Sequence, residues 1–328
     1  MSTAVLGKLL AIIVTVGLGW VAGRLRWLGD AQADPARILG NAAFYIFVPA
    51  LLFRTTARVE LNALPAGIVL AYFVPTVALL LAVYGLQQLR QRRQAQAEPA
   101  LPAVRALSAS FGNTVQMGIP MSAAMFGEAG LGLHLVLVSV HALILLSLLT
   151  ALVELDLARS RARQAQRGGL WQTLRSTLHN TVIHPVVLPV LVGLSWNLLG
   201  FGLPSLVDEV LQLLGSAVVP LCLVLIGLSL AYYGLQGSVR GALGVSLLKL
   251  LGLPALVLVV AHWGFGLAGL PLSVLVMMAA LPVGSNALIF AQRYKTMQAE
   301  VTAAIVFSTL AFVLTAPLWL ALLARLPG

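Results

Sequence analysis

The stretch FGNTVQMGIP, residues 111–120, interrupts a long apolar run with Asn113, Gln116, two glycines and a proline. In hydrocarbon an unsatisfied backbone group is costly, so irregular backbone survives only where it is buried in protein or lines a cavity. Pro120 removes an N–H and crowds the carbonyl of Gln116. Gly112 and Gly118 let the chain open and let another segment approach, while Asn113 and Gln116 bring donors and acceptors. The combination predicts a transmembrane helix broken near mid-membrane, with polar side chains at the gap.

The rest of the chain supports the membrane setting. Its 328 residues are 60% hydrophobic and 9% charged, against roughly 25% charged in an ordinary soluble domain, and the mean hydropathy is +0.98. With about 20 apolar residues per crossing, ten spans are expected, at 4–23, 36–54, 66–88, 104–127, 131–155, 180–200, 211–232, 241–265, 270–291 and 300–324. They leave no room for a soluble domain. The first apolar run reads as a retained helix and not a signal peptide. Cys222 lies within a span and reads as a packing residue.

The net charge of +10 follows topology. With the N-terminus outside, 15 basic residues fall in inner loops and four (Lys8, Arg54, Arg58 and Arg325) on the outer side, with Lys249 inside a span. That bias puts both termini outside. It leaves the charge to topology and anionic membrane lipids, with no nucleic-acid partner.

The longest polar stretch, 156–179, reads as a cytoplasmic linker between two five-helix repeats, 1–155 and 180–328. An odd number of spans per half inserts the second half upside down, which is the arithmetic of an inverted repeat. The halves share marks: LGNAAFYIFVP with Pro49 matches LGSAVVP with Pro220, and GNTVQMGIP pairs loosely with ALPVGSNALIF. In the latter, Pro282, Gly284, Ser285 and Asn286 repeat the recipe of span four. Two broken helices crossing would present their N-termini at the midplane, a place for an anion built without a formal charge.

The candidate substrate-binding residues are therefore Asn113, Gln116, Pro120, Pro282, Ser285 and Asn286. Gly112, Gly118, Gly284, Asn41, Pro49 and Pro220 are supporting residues. Lys249 either snorkels to the inner interface, the favoured reading, or neutralises the C-terminus of a broken helix. His141 and His184 are either proton carriers or structural histidines. No Asp or Glu falls clearly mid-span, which disfavours cation transport. The chain also has no zinc-protease, nucleophile-elbow or phosphate-loop motif, so no enzyme activity and no cofactor is expected.

FYIFVPALLFR (44–54), FGNTVQMGIPMSAAMFGEAGL (111–131), AVVPLCLVLIGLSLA (217–231), LLKLLGLP (247–254) and ALPVGSNALIFAQRY (280–294) resemble the auxin efflux carrier family, which includes plant auxin exporters and bacterial malonate and malate permease-like proteins. The likeness runs over nearly the whole chain and departs from the family at His184-Pro185, where Asn-Pro is usual. It implies an all-α polytopic protein with ten helices in two inverted repeats, whose helices four and nine cross at Pro120 and Pro282. It also implies Asn113 and Asn286 at the crossover, an elevator-like transport domain and a homodimer. The expected function is a secondary carrier for a small organic anion (malonate, malate or an auxin-like acid) in a bacterial inner membrane. A sodium-coupled, bile-acid-type symporter is the first alternative, and a membrane sensor or lipid-modifying enzyme the second.

Overall fold

The computed structural model describes residues 3–30, 33–58, 66–91, 98–164, 185, 187–233 and 239–326. Every regular element among them is helical: α1 (Thr3–Arg24), α2 (Pro35–Ala57), α3 (Ala66–Gln91), α4 (Leu101–Ser110), α5 (Ile119–Gln164), α6 (Val187–Leu198), α7 (Ser205–Tyr233), α8 (Val239–Gly264), α9 (Gly269–Ala279), α10 (Asn286–Arg293) and α11 (Gln298–Leu323). Six helices among the described residues are long and apolar enough to cross a membrane. Large apolar side chains such as Leu70, Val74, Leu314 and Leu318 stand exposed on α3 and α11, which suits a surface solvated by lipid. The all-α, polytopic expectation holds.

Proline shapes several of these helices in the same way. In α2 the turn Ala43–Phe47 widens to a π-turn, and Val48, just before Pro49, donates to the Ala43 carbonyl. In α8 the turn Leu248–Gly252 does the same, and Leu253, just before Pro254, donates to Leu248. A proline ring clashes with the carbonyl four residues back, and a wider turn moves that carbonyl aside. Asp34 caps the start of α2 by accepting from the Arg37 N–H at 3.2 Å.

α5 is a 46-residue run that contains one non-helical residue, Gly127, at φ 63° and ψ −160°. That residue separates the end of span four from span five, where the sequence analysis divides them. α5 then continues helically to Gln164 through the first part of the expected linker, and residues 165–179 lie outside the described residues. α1 packs closely along α7: a Cβ on Gly19 would meet the backbone of Val224, and one on Gly227 would strike the backbone of Val16 and Trp20. Small residues allow this approach where no hydrophobic force drives helices together.

Candidate functional site: the crossing of two broken helices

α4 ends at Ser110, and Phe111 turns extended at φ −84° and ψ 113°. α9 ends at Ala279, and the chain runs irregularly to the start of α10 at Asn286. The two unwound segments meet as an isolated antiparallel bridge between Gly112 and Val283. Asn113 N–H donates to the Pro282 carbonyl at 2.9 Å, and Gly284 N–H donates to the Phe111 carbonyl at 2.9 Å. Val283 N–H finds the Ser308 hydroxyl of α11 at 3.1 Å. Each break thus supplies the partners that the other has lost. Pro282 suits the spot because its carbonyl is used and it has no N–H to satisfy.

The crossing falls at Gly112 and Val283, and Pro120 is not part of it. Pro120 occupies the second position of α5, where a missing N–H costs nothing. The chain between them forms a π-turn, Thr114–Gly118, in which Gly118 N–H donates to the Asn113 carbonyl at 3.1 Å. The Thr114 carbonyl lies 2.8 Å from His134 Nε2. A Cβ on Gly118 would stand 2.6 Å from that nitrogen, so the glycine makes room for the imidazole.

A cavity of about 300 Å³ opens at the crossing. Gly112, Asn113, Thr114, Gly284, Ser285 and Asn286 form its floor, and His141 of α5 joins them. Its walls are mostly apolar, with Leu51, Leu52, Val138, Leu211 and Val218 among them. Asn113 and Ser285 are each 8% exposed, so their polar groups are shielded from bulk water. The N-terminus of α10 opens here through Ser285 and Asn286, and its dipole favours negative charge.

His141 is 1% exposed, and neither ring nitrogen has a hydrogen-bond partner among the described residues. Its ring packs 4.5 Å from Phe111 and 6.1 Å from Tyr72, centroid to centroid. The structure thus gathers Gly112, Asn113, His141, Gly284, Ser285 and Asn286 around one cavity, with Pro282 directly behind.

Other expected residues stand elsewhere. Asn41 and Pro220 are exposed and Pro49 is half-buried, and none of the three lines the cavity. Gly215 and Ser216 of α7 take the place expected of Pro220. The side chains of Gln116 and Pro120 lie outside the described part of the structure, as does His184 entirely.

One feature is the less favoured of two expectations and a second is absent from the sequence reading. Lys249 does not snorkel: it is completely buried, and its Nζ donates to the carbonyl of Ala279, the last residue of α9. The less favoured of its two readings is the correct one: Lys249 lies in the π-turn of α8 and its side chain runs inward to the end of α9. The second feature is an ion-pair cluster at the cavity wall. Arg54 lines the cavity and grips Asp208 with two hydrogen bonds, at 2.8 and 3.2 Å, and Gln212 at 3.1 Å. Arg58 holds the same carboxylate at 2.7 Å. The signal was present as opposite charges at the ends of spans two and seven, but only the packing of α2 on α7 turns it into part of a site.

The cavity therefore offers carboxamides, hydroxyls, a helix N-terminus, an imidazole and the paired guanidinium of Arg54, with no carboxylate among the described residues of its lining. No cluster of metal-ligating side chains occurs among the described residues. Such a set suits a hydrogen-bond acceptor bearing negative charge.

Comparison with known proteins agrees with this architecture. Residues 4–320 match the family described as membrane transport protein. An uncharacterized transporter of Methanothermobacter thermautotrophicus is 26% identical, covering 94% of this chain and 95% of its own. The uncharacterized transporter MJ1031 of Methanocaldococcus jannaschii is 24% identical over 94% and 96% of the two chains. The uncharacterized transporter YfdV of Escherichia coli K12 is 27% identical over 98% of both. The chain is a membrane transporter that belongs to the membrane transport protein family, the auxin efflux carrier family that its crossover motifs resemble.

Proposed function

We propose that this transporter is a secondary carrier for a small organic anion, with the carboxylate bound at the crossing of the two broken helices. The observation that carries the reading is one cavity that holds Asn113, Ser285 and Asn286 beside the N-terminus of α10 and has no carboxylate among the described residues of its lining. The amides and the hydroxyl donate to the carboxylate, and the dipole favours its charge. The apolar walls accept the remainder of the molecule. Substrate moves by alternating access, with the crossing carried in an elevator-like domain formed by spans three to five and eight to ten. The two five-span halves are inverted repeats, the protein works as a homodimer in a bacterial inner membrane, and both termini face outward.

Counterflow in proteoliposomes tests this reading. Vesicles preloaded with unlabelled malonate, malate or indole-3-acetate are expected to accumulate the same labelled acid when they contain the wild-type protein, and protein-free vesicles are not. Failure with all three acids contradicts the assignment.

A further inference from the structure

A crossing of two broken helices has an electrostatic problem that the sequence does not display. Two helix N-termini and two helix C-termini meet there. Each end carries about half an elementary charge, positive at the N-termini and negative at the C-termini. Summed over the crossing as a whole, these partial charges nearly cancel, so the α10 dipole gives only a weak local preference for an anion, and Arg54 at the cavity wall is already paired with Asp208. The carboxamides of Asn113 and Asn286 do not break the tie, since an amide offers both donors and acceptors.

Lys249 breaks it. Its ammonium donates to Ala279, the C-terminal residue of α9. On its other side it packs against the end of α4, where a Cβ on Gly112 would stand 3.3 Å from Nζ and 3.5 Å from Cε. Gly112 also lines the cavity, so the charge sits directly behind the cavity floor. Lys249 is fully buried, and none of the ion pairs among the described residues involves it. A buried charge without a counter-ion is strongly unfavourable, and among the described residues lining the cavity the titratable side chains, His141 and Arg54, supply no negative charge.

We propose that Lys249 gives the crossing its preference for anions. Its ammonium, held behind Gly112, is the counter-charge of the carboxylate bound on the cavity side of that glycine. The inference rests on the carboxylate reading above and adds the residue that makes charge, and not only hydrogen bonding, the selected property. Lys249 is a positioning residue in this sense: it acts through the floor of the site without touching substrate. Gly112 lets the ammonium sit close to the floor, since a Cβ there would stand 3.3 Å from Nζ.

The test uses the purified full-length protein and two matched probe pairs: indole-3-acetate with indole-3-acetamide, and malonate with malonamide. Each acid carries charge and its amide does not. Wild-type protein is expected to bind the acid of a pair at least about tenfold more tightly than the amide, the scale for one buried charge acting over a short distance. Lys249→Gln keeps a donor for Ala279 and loses the charge, so it is expected to lose the discrimination by weakening the acid while sparing the amide. Lys249→Arg is expected to retain it. A merely structural lysine would weaken acid and amide alike.

Acid-over-amide discrimination that persists in a folded Lys249→Gln protein overturns the inference and leaves the carboxylate reading intact. If that variant does not fold, the same pairs measured on Arg54→Met decide: discrimination retained there supports Lys249 as the source, while discrimination lost with Arg54, or equal affinity for acid and amide in the wild type, overturns the inference. No binding of either acid by wild-type protein removes the carboxylate reading, and the inference falls with it.

Discussion

Asn113 donates its backbone N–H to the carbonyl of Pro282, 2.9 Å away and on a different broken helix. That bond, with its counterpart from Gly284 to Phe111, makes the two breaks one structure. It also leaves the Asn113 side chain free for other work at the cavity floor. Side-chain replacement should therefore separate function from folding.

Asn113→Ala is expected to abolish transport while membrane expression and elution as a folded species stay at wild-type levels. The backbone bond to Pro282 survives the substitution, and only the carboxamide is lost. Transport at the wild-type rate would remove Asn113 from the site.

Gly284→Ala should act differently. The added Cβ would lie 2.6 Å from Phe111 Cδ1 and 2.8 Å from the Gly112 carbonyl oxygen. Backbone cannot yield as a flexible side chain can, so the crossing must shift. The expected destabilisation is about 1–3 kcal/mol, measured as a lower melting temperature in detergent. Transport is expected to fall with it.

Arg54 and Asp208 allow a double-mutant test at the cavity wall. Asp208 accepts from both Arg54 and Arg58, so this cluster of three formal charges carries a net positive charge. Arg54→Met is expected to raise the KM for anion transport, with a smaller effect at high salt, where surface charge is screened. Asp208→Asn is expected to leave that KM unchanged or lower it. Equal loss in both variants would mean that the pair matters only for packing.

Replacement of sodium by potassium is expected to leave transport unchanged. Among the described residues the cavity lining has no carboxylate, and binding a cation within the membrane calls for oxygen ligands with a carboxylate among them. A sodium-dependent rate would favour the bile-acid-type symporter.

The broken helices were legible because their cause is local. Proline, glycine and asparagine clustered in an apolar run have few explanations in a membrane, and both clusters fall at real interruptions near Asn113 and Asn286. The division between spans four and five falls at the expected bound, at the non-helical Gly127. The point of crossing was not legible, because it depends on which extended residues find each other. The family resemblance implies a crossing at Pro120 and Pro282, and the pairing falls at Gly112 and Val283.

Lys249 shows the same limit more sharply. A lysine about two turns into a span has a reach that extends either way, and helix position alone favours the interface. Only the place where α9 ends, at a carbonyl within reach of Nζ, decides for the interior. Arg54 and Asp208 are far apart in sequence and meet only because α2 packs on α7. Asn41, Pro49 and Pro220 stand out by composition, yet none of them lines the cavity, and Pro49 instead follows the π-turn of α2.

The central claim is that an organic anion occupies the crossing, and ligand-induced thermal stabilisation tests it most directly. Purified wild-type protein, Asn113→Ala and Asn286→Ala would be melted against a panel of mono- and dicarboxylates, since a ligand that binds only the folded state raises its stability. At least one acid is expected to raise the wild-type melting temperature in a saturable way, and to lose that effect in both variants while their unliganded melting temperatures stay close to wild type. Stabilisation that survives in both variants, or its absence for every acid in the wild-type protein, would contradict the account.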